Sequence, residues 1–122
     1  MKKASVGERS DDRLSVLLLS DDSELSELYQ LKLSLDGYDV ETLGRDEDWL
    51  GPAAGCDLIF IDLADGSTGA SEAWRQLRVT PALRHLPAIL LTSERAKALH
   101  DRGFNFGPLD HVIPSVRLTS GR

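Results

Sequence analysis

The stretch that decides the fold of this chain is Cys56-Asp57-Leu58-Ile59-Phe60-Ile61-Asp62-Leu63-Ala64-Asp65-Gly66. Its run of consecutive apolar residues, 58–61, predicts a strand that is buried on both faces in the middle of a parallel sheet. Asp62 stands where this strand ends, and Gly66 opens a loop. In open α/β sheets, functional groups collect at the carboxyl ends of the strands. Asp62 is therefore either a turn or capping residue or a functional carboxylate.

The composition limits the chain to one domain and narrows its partners. With 122 residues, 41% hydrophobic and 28% charged, it has the make-up of an ordinary globular protein. The net charge of −6 argues against binding to nucleic acid or to an anionic membrane. Cys56 is the single cysteine, which excludes an intrachain disulfide and fits a reducing compartment. We therefore expect a cytoplasmic protein with no nucleic-acid or membrane partner.

Strand and helix patterns alternate on both sides of the central stretch. Apolar or alternating runs predict four further strands at 14–19, 38–42, 88–91 and 111–113. Helices are predicted at 23–36 and at 45–50, ended by Gly37 and by Gly51 with Pro52, respectively. Two more are predicted at 71–79 and from Thr92 or Ser93 to about residue 102. Residues 1–13 are predicted to be a disordered leader, 14–114 the folded domain, and 115–122 a short polar tail. The tail lacks an amphipathic period, so no fifth helix is expected.

Polar side chains follow three of the predicted strands. Asp21 and Asp22 follow the first strand, Asp62 the third and Thr92 the fourth. Right-handed crossovers bring the ends of parallel strands to one edge of the sheet. Two carboxylates there suit Mg²⁺, and a nearby hydroxyl can bond a phosphoryl oxygen, which together outline an aspartyl-phosphate site. Asp22 and Thr92 are also residue types that cap helix N-termini, so a purely structural role is the alternative for each of them.

From about residue 14 to 114 the chain resembles the response-regulator receiver domains of two-component signalling. The matching segments are VLLLSDDSEL (16–25), LDGYDV (35–40), DLIFIDL (57–63) and PALRHLPAILLTS (81–93). This resemblance implies a three-layer, flavodoxin-like (CheY-like) α/β fold. Its doubly wound, five-stranded parallel sheet would have the order 2-1-3-4-5 and would lack the fifth helix.

The resemblance also implies a role for each strand-end residue. Asp62 would be the phosphoryl acceptor, and Asp21 would share Mg²⁺ with it. Thr92 would be the hydroxyl that moves toward the phosphoryl group and switches the domain. The backbone carbonyl of Ala64 would be a further metal ligand. The chain would not be an enzyme beyond self-catalysed phosphorylation and dephosphorylation.

Several positions depart from the receiver pattern. The family usually carries an acidic pair after the first strand, and its first member here is Ser20. The lysine that ends the fifth strand is replaced by Ile113, and the aromatic switch position falls on Asp110 or His111. Ile113 cannot pair with the acceptor carboxylate. Because the lysine and the aromatic residue are both missing, we expect the coupling of phosphorylation to output to be affected more than the chemistry itself.

Two functions follow from these features. The first is a stand-alone, atypical receiver that takes a phosphoryl group on Asp62 from a histidine kinase or phosphotransfer protein and signals to a downstream effector. The second is a pseudo-receiver, a protein-interaction module that works without phosphate. Leu31 and Leu35 widen the apolar stripe of the first helix beyond what one sheet contact needs. Without a fifth helix, we expect this face to be covered by a second copy or another partner.

Overall fold

The computed structural model describes residues 13–63, 68–92, 96–101 and 104–114. The predicted tail and nearly all of the predicted leader lie outside these ranges, so the domain boundaries stay a prediction. In the described residues, no helix is both long and apolar enough to cross a membrane.

Strands and helices alternate throughout the described residues, as the sequence pattern predicts. The strands are β1 (Ser15–Leu19), β2 (Asp39–Leu43), β3 (Leu58–Asp62), β4 (Ala88–Thr92) and β5 (Asp110–Pro114). The helices are α1 (Ser23–Leu35), α2 (Leu50–Ala54), α3 (Thr68–Val79) and α4 (Ala96–Asp101).

All five strands form one parallel sheet in the order β2-β1-β3-β4-β5, which confirms the predicted topology. The central strand β3 pairs with β1 on one side and with β4 on the other. Strand order reverses beside β1, because β2 lies on one side of it and β3 on the other. The carboxyl ends of β1 and β3 therefore flank the crevice where ligands bind in folds of this kind.

Two apolar cores sandwich the sheet, as expected for strands buried on both faces. One core packs α1 against β1, β3 and β4 through buried side chains that include Leu25, Tyr29 and Phe60. The other core joins the opposite face of the sheet to α2, α3 and α4 through side chains that include Trp49 and Trp74. The helices therefore fix both faces of β3 and, with them, the position of Asp62 at its end.

Helix α1 begins and ends at the predicted signals. The Asp22 carboxylate accepts a hydrogen bond from the Leu25 backbone N–H at 3.2 Å, which makes Asp22 the N-cap. Asp36 is the C-cap, and Gly37 follows with φ +100°, a conformation that disfavours a side chain. Asp22 therefore has a structural role, which leaves Asp21 as the acidic candidate after β1.

The second helix is not where the sequence pattern placed it. A helix was expected over 45–50, ended by Gly51 and Pro52, and this prediction is wrong because α2 spans Leu50–Ala54. The ring of Pro52 is tolerated there because the first turn of a helix does not need its backbone N–H groups for internal bonds. The Arg45 backbone N–H instead bonds the Asp21 carboxylate. Residues 44–49 are therefore a loop that belongs to the carboxyl edge.

Strand β5 forms an edge of the sheet and is only thinly covered. Val112 and Ile113 are 39% and 37% exposed. Ile113 is the register partner of Leu91, a member of the core beneath α1, so both lie on the α1 face of the sheet. Leu31 and Leu35 on α1 are 60% and 77% exposed. The expected apolar exposure next to α1 is therefore present in the described residues.

Candidate functional site at the carboxyl edge of the sheet

Asp62 lies at the end of β3 with its carboxylate held by a serine. The side chain is only 5% exposed, and its Oδ2 accepts a hydrogen bond from the Ser20 hydroxyl at 2.8 Å. Ser20 is the residue after β1, directly beyond the Leu19–Ile61 register pair, so the two side chains meet across neighbouring strands. Ser20 thus supplies a donor at the position where the family carries an acid.

The serine is itself fixed from two directions. Its backbone N–H bonds the Leu43 carbonyl at 3.0 Å, which continues the pairing of β1 with β2. Its hydroxyl oxygen accepts the Asp22 backbone N–H at 3.0 Å. The single proton of the hydroxyl is directed to the Asp62 carboxylate at 2.8 Å, because the other acceptor within reach, the Asp22 carbonyl, is farther away at 3.4 Å. The carboxylate is therefore oriented by a short, buried hydrogen bond.

Asp21 makes a different set of contacts. Its Oδ1 accepts the Arg45 backbone N–H at 3.0 Å, and its Oδ2 accepts from Arg45 Nε at 3.0 Å and lies 2.9 Å from Nη2. The Arg45 side chain is 11% exposed and that of Asp21 is 45% exposed. In the part of the chain that the structure describes, every hydrogen bond of the Asp21 carboxylate goes to Arg45. Asp21 is thus directed at the loop after β2 by a cation that the chain itself supplies.

Of the other two predicted site residues, the structure describes Thr92 but not Ala64. Thr92 ends β4 one position beyond Leu91, which is the register partner of Asp62, and its side chain is 2% exposed. Thr92 thus lies on the strand next to the candidate acceptor, as predicted. The predicted ligand carbonyl of Ala64 lies outside the described residues. The assignment of roles to Asp62, Thr92, Asp21 and Ala64 stays a prediction.

The residues that face the edge do not fit a magnesium site as they are arranged. Both oxygens of Asp21 already serve Arg45, and Asp62 is bonded to a serine where a second acid would strengthen metal binding. Across the described ranges, no group of three acidic, histidine or cysteine side chains converges on one point. Mg²⁺ binding by Asp21 and Asp62 therefore stays a prediction.

Asp110 is one of the two positions where the resemblance to receiver domains places an aromatic switch residue, and it makes a different set of contacts. Asp110 begins β5, and its side chain is 2% exposed. Its Oδ1 accepts from Trp74 Nε1 at 3.0 Å and from Arg78 Nη2 at 2.6 Å, while its Oδ2 accepts the Gly107 backbone N–H at 2.9 Å. This buried acid ties β5 to α3. His111, the alternative switch position, is exposed.

Two contacts at the carboxyl edge and one at the opposite, amino edge of the sheet were not predicted from the sequence. They are the Ser20 bond to Asp62, the Arg45 pair with Asp21, and the Arg78 pair with Asp110. Ser20 alone left a signal, because it follows β1 at the position that the strand register sets beside Asp62. Arg45 was expected in a helix, and no sequence pattern predicts that it pairs with Asp21.

Comparisons with known proteins agree with this architecture. No protein-family model matches the chain. The phosphate regulon transcriptional regulatory protein PhoB of Rhizobium meliloti is 29% identical over 100 residues, which cover 80% of this chain and 44% of that protein. The chain thus spans less than half the length of this curated relative.

Solved structures share the fold at lower identity. The signal receiver domain of a signal transduction histidine kinase from Syntrophus aciditrophicus has a TM-score of 0.67 at 24% identity, with 83% of this chain and 77% of that chain covered. The N-terminal domain of a response regulator receiver protein from Methanoculleus marisnigri has a TM-score of 0.66 at 18% identity, with 86% of both chains covered. Chemotaxis protein CheY4 of Vibrio cholerae has a TM-score of 0.64 at 24% identity, with 75% of this chain and 78% of that chain covered.

The sheet order, the acidic residues at the strand ends and these similarities point the same way. They confirm the resemblance to response-regulator receiver domains that the sequence indicated.

Proposed function

We propose that this receiver domain accepts a phosphoryl group on Asp62 in two-component signalling. The observation that carries the proposal is the position of Asp62, at the carboxyl end of the central strand and oriented by the 2.8 Å hydrogen bond from Ser20. A carboxylate held in one orientation has less freedom to lose when it attacks a phosphodonor. Thr92, at the end of the next strand, is the hydroxyl proposed to respond to the phosphoryl group.

The proposed reaction is an in-line transfer. A carboxylate oxygen of Asp62 attacks the phosphorus of a phosphohistidine on a kinase or phosphotransfer protein. The new P–O bond forms as the P–N bond breaks, and the histidine nitrogen takes a proton from water. The product is an acyl phosphate on Asp62. In this proposal the receiver itself catalyses the transfer. The protein is proposed to act in the cytoplasm.

The test is intact mass spectrometry after incubation with acetyl phosphate and Mg²⁺. The wild-type protein should gain the mass of one phosphoryl group, and hydroxylamine should remove it because acyl phosphates are labile to that reagent. Asp62→Asn should gain nothing. Asp57→Asn is the matched control, because Asp57 precedes the same strand, bonds the Ser15 backbone N–H at 2.8 Å and lies at the opposite end of β3. An adduct that persists in Asp62→Asn would contradict the proposal, as would no adduct from either acetyl phosphate or a phosphohistidine donor.

A second function, interaction without phosphate, is favoured by Ile113. This residue is the second to last of β5, where receiver domains usually carry a lysine, and its apolar side chain offers no charge to a phosphoryl oxygen. A downstream effector would then recognise the unmodified domain. Equal effector affinity for the wild type and Asp62→Asn, with and without phosphodonor, would favour this second function over the first.

The exposed apolar side chains Leu31, Leu35 and Ile113, here called the open face, are proposed to be covered by a second copy of the chain. Leu31 and Leu35 are among the most exposed large apolar side chains in the described residues. Burying such a side chain contributes about 1.5–3 kcal/mol. A homodimer is therefore the proposed assembly.

A further inference from the structure

Arg45 and Asp21 form a partly buried ion pair at the point where a receiver domain would be expected to hold a metal ion. The guanidinium meets Asp21 Oδ2 through Nε at 3.0 Å and Nη2 at 2.9 Å. The Arg45 backbone N–H completes the contact on Oδ1 at 3.0 Å. Both guanidinium donors converge on Oδ2 and the backbone N–H holds Oδ1, so charge-assisted and neutral hydrogen bonds together hold the carboxylate in one orientation.

The loop that carries Arg45 is shaped for this contact. The Glu47 carboxylate accepts the Gly44 backbone N–H at 2.9 Å, and the Glu47 backbone N–H returns to the Gly44 carbonyl at 3.2 Å. A Cβ at Gly44 would stand 3.0 Å from Asp21 Oδ1 and 3.3 Å from Asp46 Oδ1. The lack of a side chain at Gly44 therefore gives the Asp21 carboxylate the room to reach Arg45.

The surroundings also favour a cation that belongs to the protein. A cavity of about 330 Å³ lies between the loop after β2 and α3, and acidic side chains of Asp21, Asp46 and Glu72 line it together with Arg45. Ser20 removes one of the charges that would attract a divalent ion. A divalent ion on Asp21 would lie close to the guanidinium and be repelled by it, because like charges that are partly buried are weakly screened.

We propose that Arg45 is the resident cation of Asp21, and that a divalent metal ion binds Asp21 only when the Arg45 side chain leaves it. Arg45 then acts as a positioning residue that sets the metal affinity of the carboxyl edge. The inference concerns the same edge as the proposed phosphoacceptor. It does not require Asp62 to be phosphorylated.

The test is a titration of the full chain with Mg²⁺, and separately Mn²⁺, by calorimetry without a phosphodonor. Arg45→Met removes the guanidinium and its charge but keeps an unbranched stem, and it should bind Mg²⁺ roughly three- to tenfold more tightly than the wild type. Arg13→Met is the matched control, because Arg13 is an exposed arginine that pairs with Asp39 at the opposite end of the sheet, and its affinity should not change. Adding Asp21→Asn to Arg45→Met should abolish the gain.

A gentler variant tests the same contact if Arg45→Met fails to fold. Gly44→Ala should displace Asp21 Oδ1 by a few tenths of an ångström and raise the Mg²⁺ affinity, whereas Gly51→Ala, which meets nothing within 4 Å, should not. Equal affinities for wild type, Arg45→Met and Gly44→Ala, including no binding by any of them, would overturn the proposal. A gain that survives Asp21→Asn would do the same. Loss of phosphorylation with the metal gain intact would instead contradict only the proposed function.

Discussion

Substitution of Asp110 should lower the unfolding free energy of this domain more than substitution of any exposed charged residue. The carboxylate is 2% exposed and accepts from Trp74, Gly107 and both Nε and Nη2 of Arg78, the last two at 3.2 and 2.6 Å. Arg78 is 18% exposed, and its Nη1 is held by the carbonyl oxygens of Arg84 and Leu86. Asp110→Ala would therefore leave a largely buried guanidinium that its backbone contacts keep in place.

The expected loss of unfolding free energy for Asp110→Ala is about 3–5 kcal/mol, the range for removing one partner of a buried ion pair. With a urea slope of about 1–3 kcal/mol per molar, the unfolding midpoint should fall by roughly 2 M. The assay is urea unfolding followed by far-ultraviolet circular dichroism, because the change next to Trp74 would itself alter the fluorescence. The Arg78→Met, Asp110→Ala double variant should lose clearly less than the sum of the two single losses.

The matched control is the exposed pair of Arg13 and Asp39. These side chains are 47% and 42% exposed and lie 3.4 Å apart, so Asp39→Ala should lose less than about 1 kcal/mol. The reasoning is refuted if Asp110→Ala loses no more than Asp39→Ala. It is also refuted if the double variant loses the full sum of the two single variants, because the two groups would then act independently.

Three further predictions test other parts of the structure. Ser20→Ala should lower the unfolding free energy by about 1.5–3 kcal/mol in urea, because the buried Asp62 carboxylate loses a hydrogen bond; a loss under half a kcal/mol, about the scatter of neutral surface changes, would contradict this. Burial raises the pKa of the Cys56 thiol above its ordinary value of 9.0, so the neutral thiol is favoured in the folded state. The stability that the raised Cys56 pKa contributes is present below about pH 9 and is lost as the pH rises through the folded-state pKa. Because less of the thiol is ionised in the folded state, iodoacetamide should alkylate the native protein more slowly than the urea-unfolded chain at pH 8. The Leu31→Glu, Leu35→Glu variant should sediment as a monomer at concentrations where the wild type forms a dimer, and a monomeric wild type at every concentration would exclude the proposed homodimer.

The sequence was sufficient for the framework of the fold. The apolar run at 58–61 could be covered on both faces only in the centre of a parallel sheet, and the structure places β3 there. The alternation of strands with helices predicted a parallel sheet with Asp62 at its carboxyl edge, whereas the strand order was implied by the resemblance to receiver domains. Asp22 and Gly37 marked the limits of α1 because capping depends on neighbouring residues. Pro52 misled the prediction because a local rule about proline does not say in which turn of a helix the residue will fall.

Three side-chain contacts, two at the carboxyl edge and one at the start of β5, were decided only in the tertiary structure. Arg45 lies 24 residues from Asp21, Ser20 lies 42 from Asp62, and Arg78 lies 32 from Asp110. None of these separations carries a periodic signal, because each pair meets through the crossovers of the sheet and not through a shared helix or turn. The sequence by itself located the candidate acceptor, because a run of consecutive apolar residues predicts a buried strand and Asp62 is the residue that follows it. The charges and donors that surround it depend on which loop reaches which strand end, and that is a property of the packed sheet.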